Sequence, residues 1–445
     1  MRLNTSYRQI FTIAAPIMIG SAAQNIITLT DRVFLFQLGV DDFASIGFVS
    51  VFYLIISALG FGFSRGGQIL IARKAGAGEF KEAGRTFHSV FLFELMLSMV
   101  MFAFMAWGCY YLFAAIVDSD VVFTKSLAYL DTRKWGVFFS YMGVALISLY
   151  TGIARPGFLI FDTFLLATVN IILDYLLIFG HYGFPEMGIA GAGLASTIAE
   201  VTAFVAFIIY MIWDKENRKY AIFQWPKLDI ELIKKQYNIS FPLVVQPLIG
   251  LGSWFLFMGI VENLGEEALA ITILAQMVYL VLSIPSWGFA AGIGTMVGGF
   301  IGHKKRMAVI PIIWKSATIS FLVTMILTIP FVFFPHAVLV PFLGESANDL
   351  IDKSLPVFYV LAGTLAVFSA GSVVYSGVSG VGASSYALKI QFFCVIFYLT
   401  SIYILVEYTN VELAWIWTVE LFYWLLVSIW SLWYLYSKKW FGMLS

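Results

Sequence analysis

Runs of twenty or more apolar residues, separated by short polar connections, recur from one end of the chain to the other. A helix needs about 20 such residues to cross a ~30 Å hydrocarbon layer. The runs predict twelve spans, near 11–38, 43–72, 87–114, 124–152, 157–180, 188–213, 237–264, 268–300, 309–334, 348–378, 386–407 and 412–436. A few polar residues interrupt them at helical spacing. Ser21, Gln24, Thr28 and Asp31 follow i, i+3, i+7, i+10 and form one stripe. Asn170 and Asp174 share a face at i, i+4, and Ser196 and Glu200 do the same, with Thr197 adjacent. A polar stripe is unfavourable against lipid, so these faces are expected to turn toward a bundle interior or a wet cavity.

Composition agrees with the pattern. Hydrophobic residues make up 61% of the 445, charged residues 12%, and the mean hydropathy is +0.90. Charge then orients the spans. Twenty of the 26 Lys and Arg residues fall in the connections on one side, which the positive-inside rule makes cytoplasmic, together with both termini. The chain is therefore expected to be integral to the plasma (inner) membrane. The first apolar stretch is too long for a cleaved signal. Cys109 and Cys394 lie in separate spans without metal-like spacing, and no phosphate-binding or dinucleotide motif is present. An enzyme, an organic cofactor, nucleic-acid binding and ATP-driven transport are not expected. An ion gradient remains as the energy source.

The chain repeats itself. At an offset of 226, Pro16 aligns with Pro242, Gly39 with Gly265, Gly62 with Gly288, Gly66 with Gly292 and Gly76 with Gly302; residues 16–76 hold 11 identities over 61 positions. Two six-helix halves follow: residues 1–213, helices 1–6, and residues 236–445, helices 7–12, joined by a charged cytoplasmic linker over 214–235. Six helices per half give both halves the same orientation, a parallel repeat typical of transporters.

The chemistry is not repeated. An ionised side chain in a span costs roughly 2.5–3.5 kcal/mol on insertion scales and is retained mostly for function. At the repeat offsets Asp31 becomes Phe257, Asn170 becomes Val395 and Asp174 becomes Leu399. Asp31 and Asp174 are expected about two turns below the outer surface, with Ser196 at similar depth and Glu200 near the middle. Carboxylate, amide and hydroxyl oxygens from three helices would converge in the first half, suited to H+ or a partly hydrated Na+. Pro16, Pro242, Pro247 and Pro285 invite kinks. Arg65, Arg133 and Lys134 either line an anion-attracting cavity or pair with Asp131 and Glu94; pairing is the expectation. Glu262 is placed too near the outer end to serve as a coupling acid.

The segments IAAPIMIGSAAQNIITLTDRVFLFQLG, GGQILIARKAGAGE and VNIILDYLLIFGHYGFPEMGIAGAGLAST resemble the multidrug and toxic compound extrusion (MATE) transporters over essentially the whole chain. The resemblance implies an all-α, V-shaped pair of six-helix bundles exporting organic, often cationic or amphiphilic, compounds against entry of Na+ or H+. It implies a first-lobe cation site at Asp31, Asn170 and Asp174, the residues for a bound Na+, with Ser196 or Thr197 as hydroxyl ligand. It further implies Gln24 and Gln276 in the substrate cavity and Pro16 as the first-helix hinge. The polar faces themselves add Glu200 to the expected cation-coupling group and Thr28 to the expected cavity. Arg32 departs from the pattern, since a cation beside Asp31 opposes a bound cation. The rival within the superfamily is a flippase for lipid-linked oligosaccharides, which needs a cationic cavity built from Arg32, Arg65, Arg133 and Lys134. The partners expected are small organic molecules, H+ or Na+ and the lipid bilayer, with the chain acting as a monomer.

Overall fold

The computed structural model describes residues 5–38, 40–117, 119–224, 229–409 and 411–444; within them the side chains at 21, 23–26, 28, 29, 31–33, 36, 40, 41, 43, 44, 342, 346 and 442–444 lie outside the description. Fifteen α-helices and no strand occur among these residues. The first eight are α1 (Tyr7–Leu38), α2 (Val40–Gly76), α3 (Phe80–Ala103), α4 (Cys109–Ile116), α5 (Asp120–Arg133), α6 (Gly136–Gly152), α7 (Phe158–Phe179) and α8 (Ile189–Trp213). The rest are α9 (Ile230–Glu262), α10 (Glu266–Gly302), α11 (Val309–Phe333), α12 (Pro335–Leu343), α13 (Asn348–Gly380), α14 (Ser384–Tyr408) and α15 (Leu413–Tyr436).

Ten continuous helical segments are long and apolar enough to cross a membrane. α3 and α4 form one of them, joined through a widened turn at Phe104–Gly108. Two expected spans look different. The run at 124–152 is broken into α5 and α6, which bend by 54°. α1 crosses as one 32-residue helix with Pro16 inside it. With these two, the expected twelve crossings are accounted for.

The chain divides into two compact units. The boundaries fall inside helices rather than in the connection at 214–235. Ile19–Val244 form the first unit; the second takes Val245 onward together with the start of α1, through Met18. The repeat explains this exchange. α2 and α10 are both 37 residues long, and their bounds differ by 226 at each end. In lipid, apolar side chains gain little from leaving the solvent, so close approach of backbones at small residues carries helix packing. Gly62 of α2 lies so near α9 that a Cβ there would stand 2.7 Å from Val244 Cα, and one at Gly66 2.0 Å from Ser240 Oγ. Ser240 donates its hydroxyl hydrogen bond to the Phe63 carbonyl at 2.9 Å. The repeat partners face a helix in the second unit too, Gly288 closely and Gly292 in ordinary contact. A Cβ at Gly288 would stand 2.2 Å from Met18 Cγ, and one at Gly292 3.4 Å from Ile13 Cγ2. The start of α9 thus packs on α2, and the start of α1 packs on α10.

In the first unit two apolar clusters are described, one around Leu35, Ile46, Val49 and Tyr141, the other around Ile71, Phe87, Leu149 and Tyr150. On α2 and α3, buried Ser64, Gln68 and Glu94 lie between the stretches that feed them. The second unit has a single described cluster, running from Phe257 through Phe368 and Tyr398 to Val427.

Candidate functional site

α7 places Asn170 and Asp174 one turn apart on its buried face, at 1% and 0% exposure. α8 brings Ser196 against the first of them: Asn170 Nδ2 donates to Ser196 Oγ at 3.2 Å. Asn170 Oδ1 accepts no hydrogen bond among the described residues. Asp174 lies about 8 Å, at 1.5 Å per residue, from the Phe179 end of its helix. Amide and hydroxyl therefore meet between two membrane-crossing helices, with the buried carboxylate one turn further along α7.

Thr197 faces the other way. Its hydroxyl donates to the Thr132 carbonyl at 3.0 Å, while the Thr132 hydroxyl reaches the Ala190 carbonyl at 2.9 Å. These bonds fasten the end of α5 to α8. There the chain bends, and the bend aims Arg133 at Glu200. The guanidinium grips both carboxylate oxygens, Nη1 to Oε2 at 2.6 Å and Nη2 to Oε1 at 2.5 Å, with the side chains only 8% and 12% exposed. Its flat face lies 4.1 Å from the Tyr53 ring centroid, a cation–π contact. Gly136 makes the room, since a Cβ there would come 2.5 Å from both Arg133 Nη1 and Glu200 Oε2.

Glu200 is thus placed apart from the coupling group expected of it: both its oxygens are occupied by a cation of the protein itself. The pairing expected for the basic residues also changes in detail. Lys134 pairs with Asp131 at 2.5 Å as anticipated. Glu94 instead accepts from the Ser64 hydroxyl at 2.8 Å, because α3 turns it onto α2 and away from the end of α5. Pro16 is buried within α1, and Gln276 is half-buried on α10. Glu262 is exposed. The side chains of Ser21, Gln24, Thr28, Asp31 and Arg32 lie outside the described residues. Among the residues described, no three His, Cys, Asp or Glu side chains gather as metal ligands. A cation at α7 would rest on one described carboxylate and neutral oxygens.

The equivalent ground in the second unit is apolar. Phe257, aligned with Asp31, is buried with its ring 5.6 Å from Trp417 at 90°. Val395 and Leu399, aligned with Asn170 and Asp174, join the same cluster.

The MatE family model matches this chain twice, over residues 16–176 and 242–404. The chain belongs to the MatE family. The two matches start 226 residues apart, the offset of the internal repeat. Curated MatE relatives agree along most of their length. A probable multidrug resistance protein NorM of Mesorhizobium japonicum is 24% identical over 382 residues, covering 83% of this chain and 80% of its own. One of Brucella suis is 24% identical over 377 residues, covering 83% and 78%. The fold matches a solved multidrug resistance MATE transporter of the MOP superfamily in an outward-facing conformation, with a TM-score of 0.88, 20% identity and coverage of 97% and 96%. It also matches a MOP superfamily transporter from Pyrococcus furiosus, described as having a binding pocket of reversed polarity, with a TM-score of 0.86, 20% identity and the same coverage. This MatE chain is a polytopic, all-helical membrane transporter.

Proposed function

We propose that the protein is an antiporter that exports organic, cationic or amphiphilic compounds by alternating access, driven by entry of H+ or Na+. The buried Asp174 carboxylate, one turn along α7 from the Asn170–Ser196 hydrogen bond that joins two membrane-crossing helices, carries this reading. A carboxylate there is costly while charged. Loading a proton or Na+ relieves that cost and favours whichever conformation closes over the site; an ion can shift the balance only by its difference in affinity for the two states. Ser196 rather than Thr197 is the hydroxyl in this reading, because Thr197 is engaged with α5. Asp31 is included from its sequence position, and Gln24, Thr28 and Gln276 as cavity residues. Glu200 is reassigned to holding α5 on α8. The chain acts as a monomer in the plasma (inner) membrane, with both termini cytoplasmic.

The flippase alternative needs free cations. Arg133 and Lys134, two of its four, are neutralised by Glu200 and Asp131, so no observation favours it.

The test is efflux of an organic cation from proteoliposomes with a pH or a Na+ gradient imposed alone. Asp174→Asn is expected to abolish gradient-driven efflux while the protein still elutes as a single folded species. Undiminished efflux by both Asp174→Asn and Asp31→Asn would refute the assignment. A proton needs only a carboxylate, whereas Na+ needs the neutral oxygens too, so Asn170→Ala is expected to spare H+-driven efflux and impair a Na+-driven one.

A further inference from the structure

The second unit has apolar residues where the first has Asp31 and Asp174, yet one of its acids lies well inside a crossing helix. Glu420 lies on α15, about 10 Å from the Leu413 end at 1.5 Å per residue, and is only partly exposed. It stands at the same step from the start of α15 as Ser196 does from the start of α8. Its described polar neighbours are the Trp424 indole, which donates to Oε1 at 3.1 Å, and the Tyr398 hydroxyl. Neither carries a positive charge.

Around it runs a chain of rings drawn from four helices. Tyr398 of α14 meets Tyr423 of α15 with centroids 5.7 Å apart, Tyr423 meets Trp424 at 5.3 Å, Trp424 meets Phe368 of α13 at 4.7 Å, and Phe368 meets Tyr279 of α10 at 5.4 Å. The contacts are edge-on or tilted, so the rings present their faces in several directions. A carboxylate supplies full charge to an organic cation, and aromatic faces attract its spread charge and cover its apolar groups. A small hydrated ion gains little from such walls, which lack further oxygens in number.

Resting on the export reading above, we infer that Glu420, with Tyr398, Trp424 and the adjoining aromatic rings, forms a binding site for the onium end of an organic cation. The coupling ion and the transported cation would then each have an acid of their own, in different units.

The experiment is equilibrium binding of tetraphenylphosphonium to the full-length protein in lipid nanodiscs, without any gradient. Glu420→Gln is expected to weaken binding about tenfold, and Tyr398→Phe and Trp424→Phe each about threefold. Glu262→Gln, at an exposed position, serves as control and is expected to bind like wild type. If Glu420→Gln binds like wild type, or the wild type does not bind the probe at all, the site is refuted and the acid is a neutral group knitting α14 to α15. Should Glu420→Gln fail to fold, the Tyr398→Phe, Trp424→Phe double variant decides, and an unchanged affinity overturns the assignment. Gradient-driven efflux is judged separately, so export can stand while this site falls.

Discussion

The two units share a scaffold and differ in what they bury. α2 and α10 match in length, glycine placement and packing partner, each receiving the first part of the long helix from the other half of the sequence. The first unit encloses a carboxylate, an amide and a bidentate ion pair between its helices. The second fills the aligned positions with Phe257, Val395 and Leu399 and holds a partly exposed acid, Glu420, against aromatic rings on α15. Where the repeat is kept, the glycines pack against a neighbouring helix; where it is broken, polar side chains of the first unit have apolar counterparts in the second.

The largest effect is expected from breaking what only the first unit contains. Glu200→Gln leaves Arg133 buried beside Tyr53 with half its partner gone, and removing one member of a buried pair costs about 3–5 kcal/mol. Chemical denaturation or a thermal shift in detergent should show it. The double replacement Arg133→Met, Glu200→Met should recover most of the loss, because two apolar side chains leave no charge stranded. If the double variant is no better than the singles, the pair does more than hold α5 on α8.

A smaller effect sharpens the comparison at matched positions. Gly66→Ala would press on Ser240 Cα at 2.9 Å as well as on its hydroxyl, and overpacking of this kind costs about 1–3 kcal/mol. Gly292→Ala at the repeat-equivalent position meets its nearest atom at 3.4 Å, ordinary contact, and should be tolerated within about 0.5 kcal/mol. Equal melting shifts for the two variants would show that the repeat's packing is more symmetric than the structure.

The smallest effect should come from Glu262→Gln. Its side chain is exposed at the last residue of α9, so the ion-to-substrate ratio should not change. An altered ratio would place a coupling acid in the second unit and weaken the contrast between the two.

Much of the scaffold was legible because a membrane span is a one-dimensional signal: apolar length, charge bias and repeat offset are all properties of the string. Asn170, Asp174 and Ser196 were legible for a similar reason, since helical spacing puts the first two on one face. Three features were not. The break between Arg133 and Gly136 has no proline to announce it. The Arg133–Glu200 pair joins residues far apart in sequence, and only that bend aims one at the other; Glu94 looked an equally good partner on paper. Glu420 sits among Trp and Tyr residues that read as an ordinary aromatic span, and the repeat offset drew attention to aligned positions on other helices instead. The glycine coincidences were visible, but that they mark contacts with α9 and α1 follows only from the packing.

The exchanged helix halves also set a timetable for synthesis. Ile13 and Ala14, buried against α10 in the finished protein, are made long before it. Their partner glycine, Gly288, follows roughly 270 residues after Met18, which at about 5–20 residues per second is a wait of roughly 15–50 s. During that interval the start of α1 is without the helix it packs on in the finished protein. Its apolar sequence makes the wait harmless, and the second unit can complete its packing only if the start of α1 is still free to receive α10.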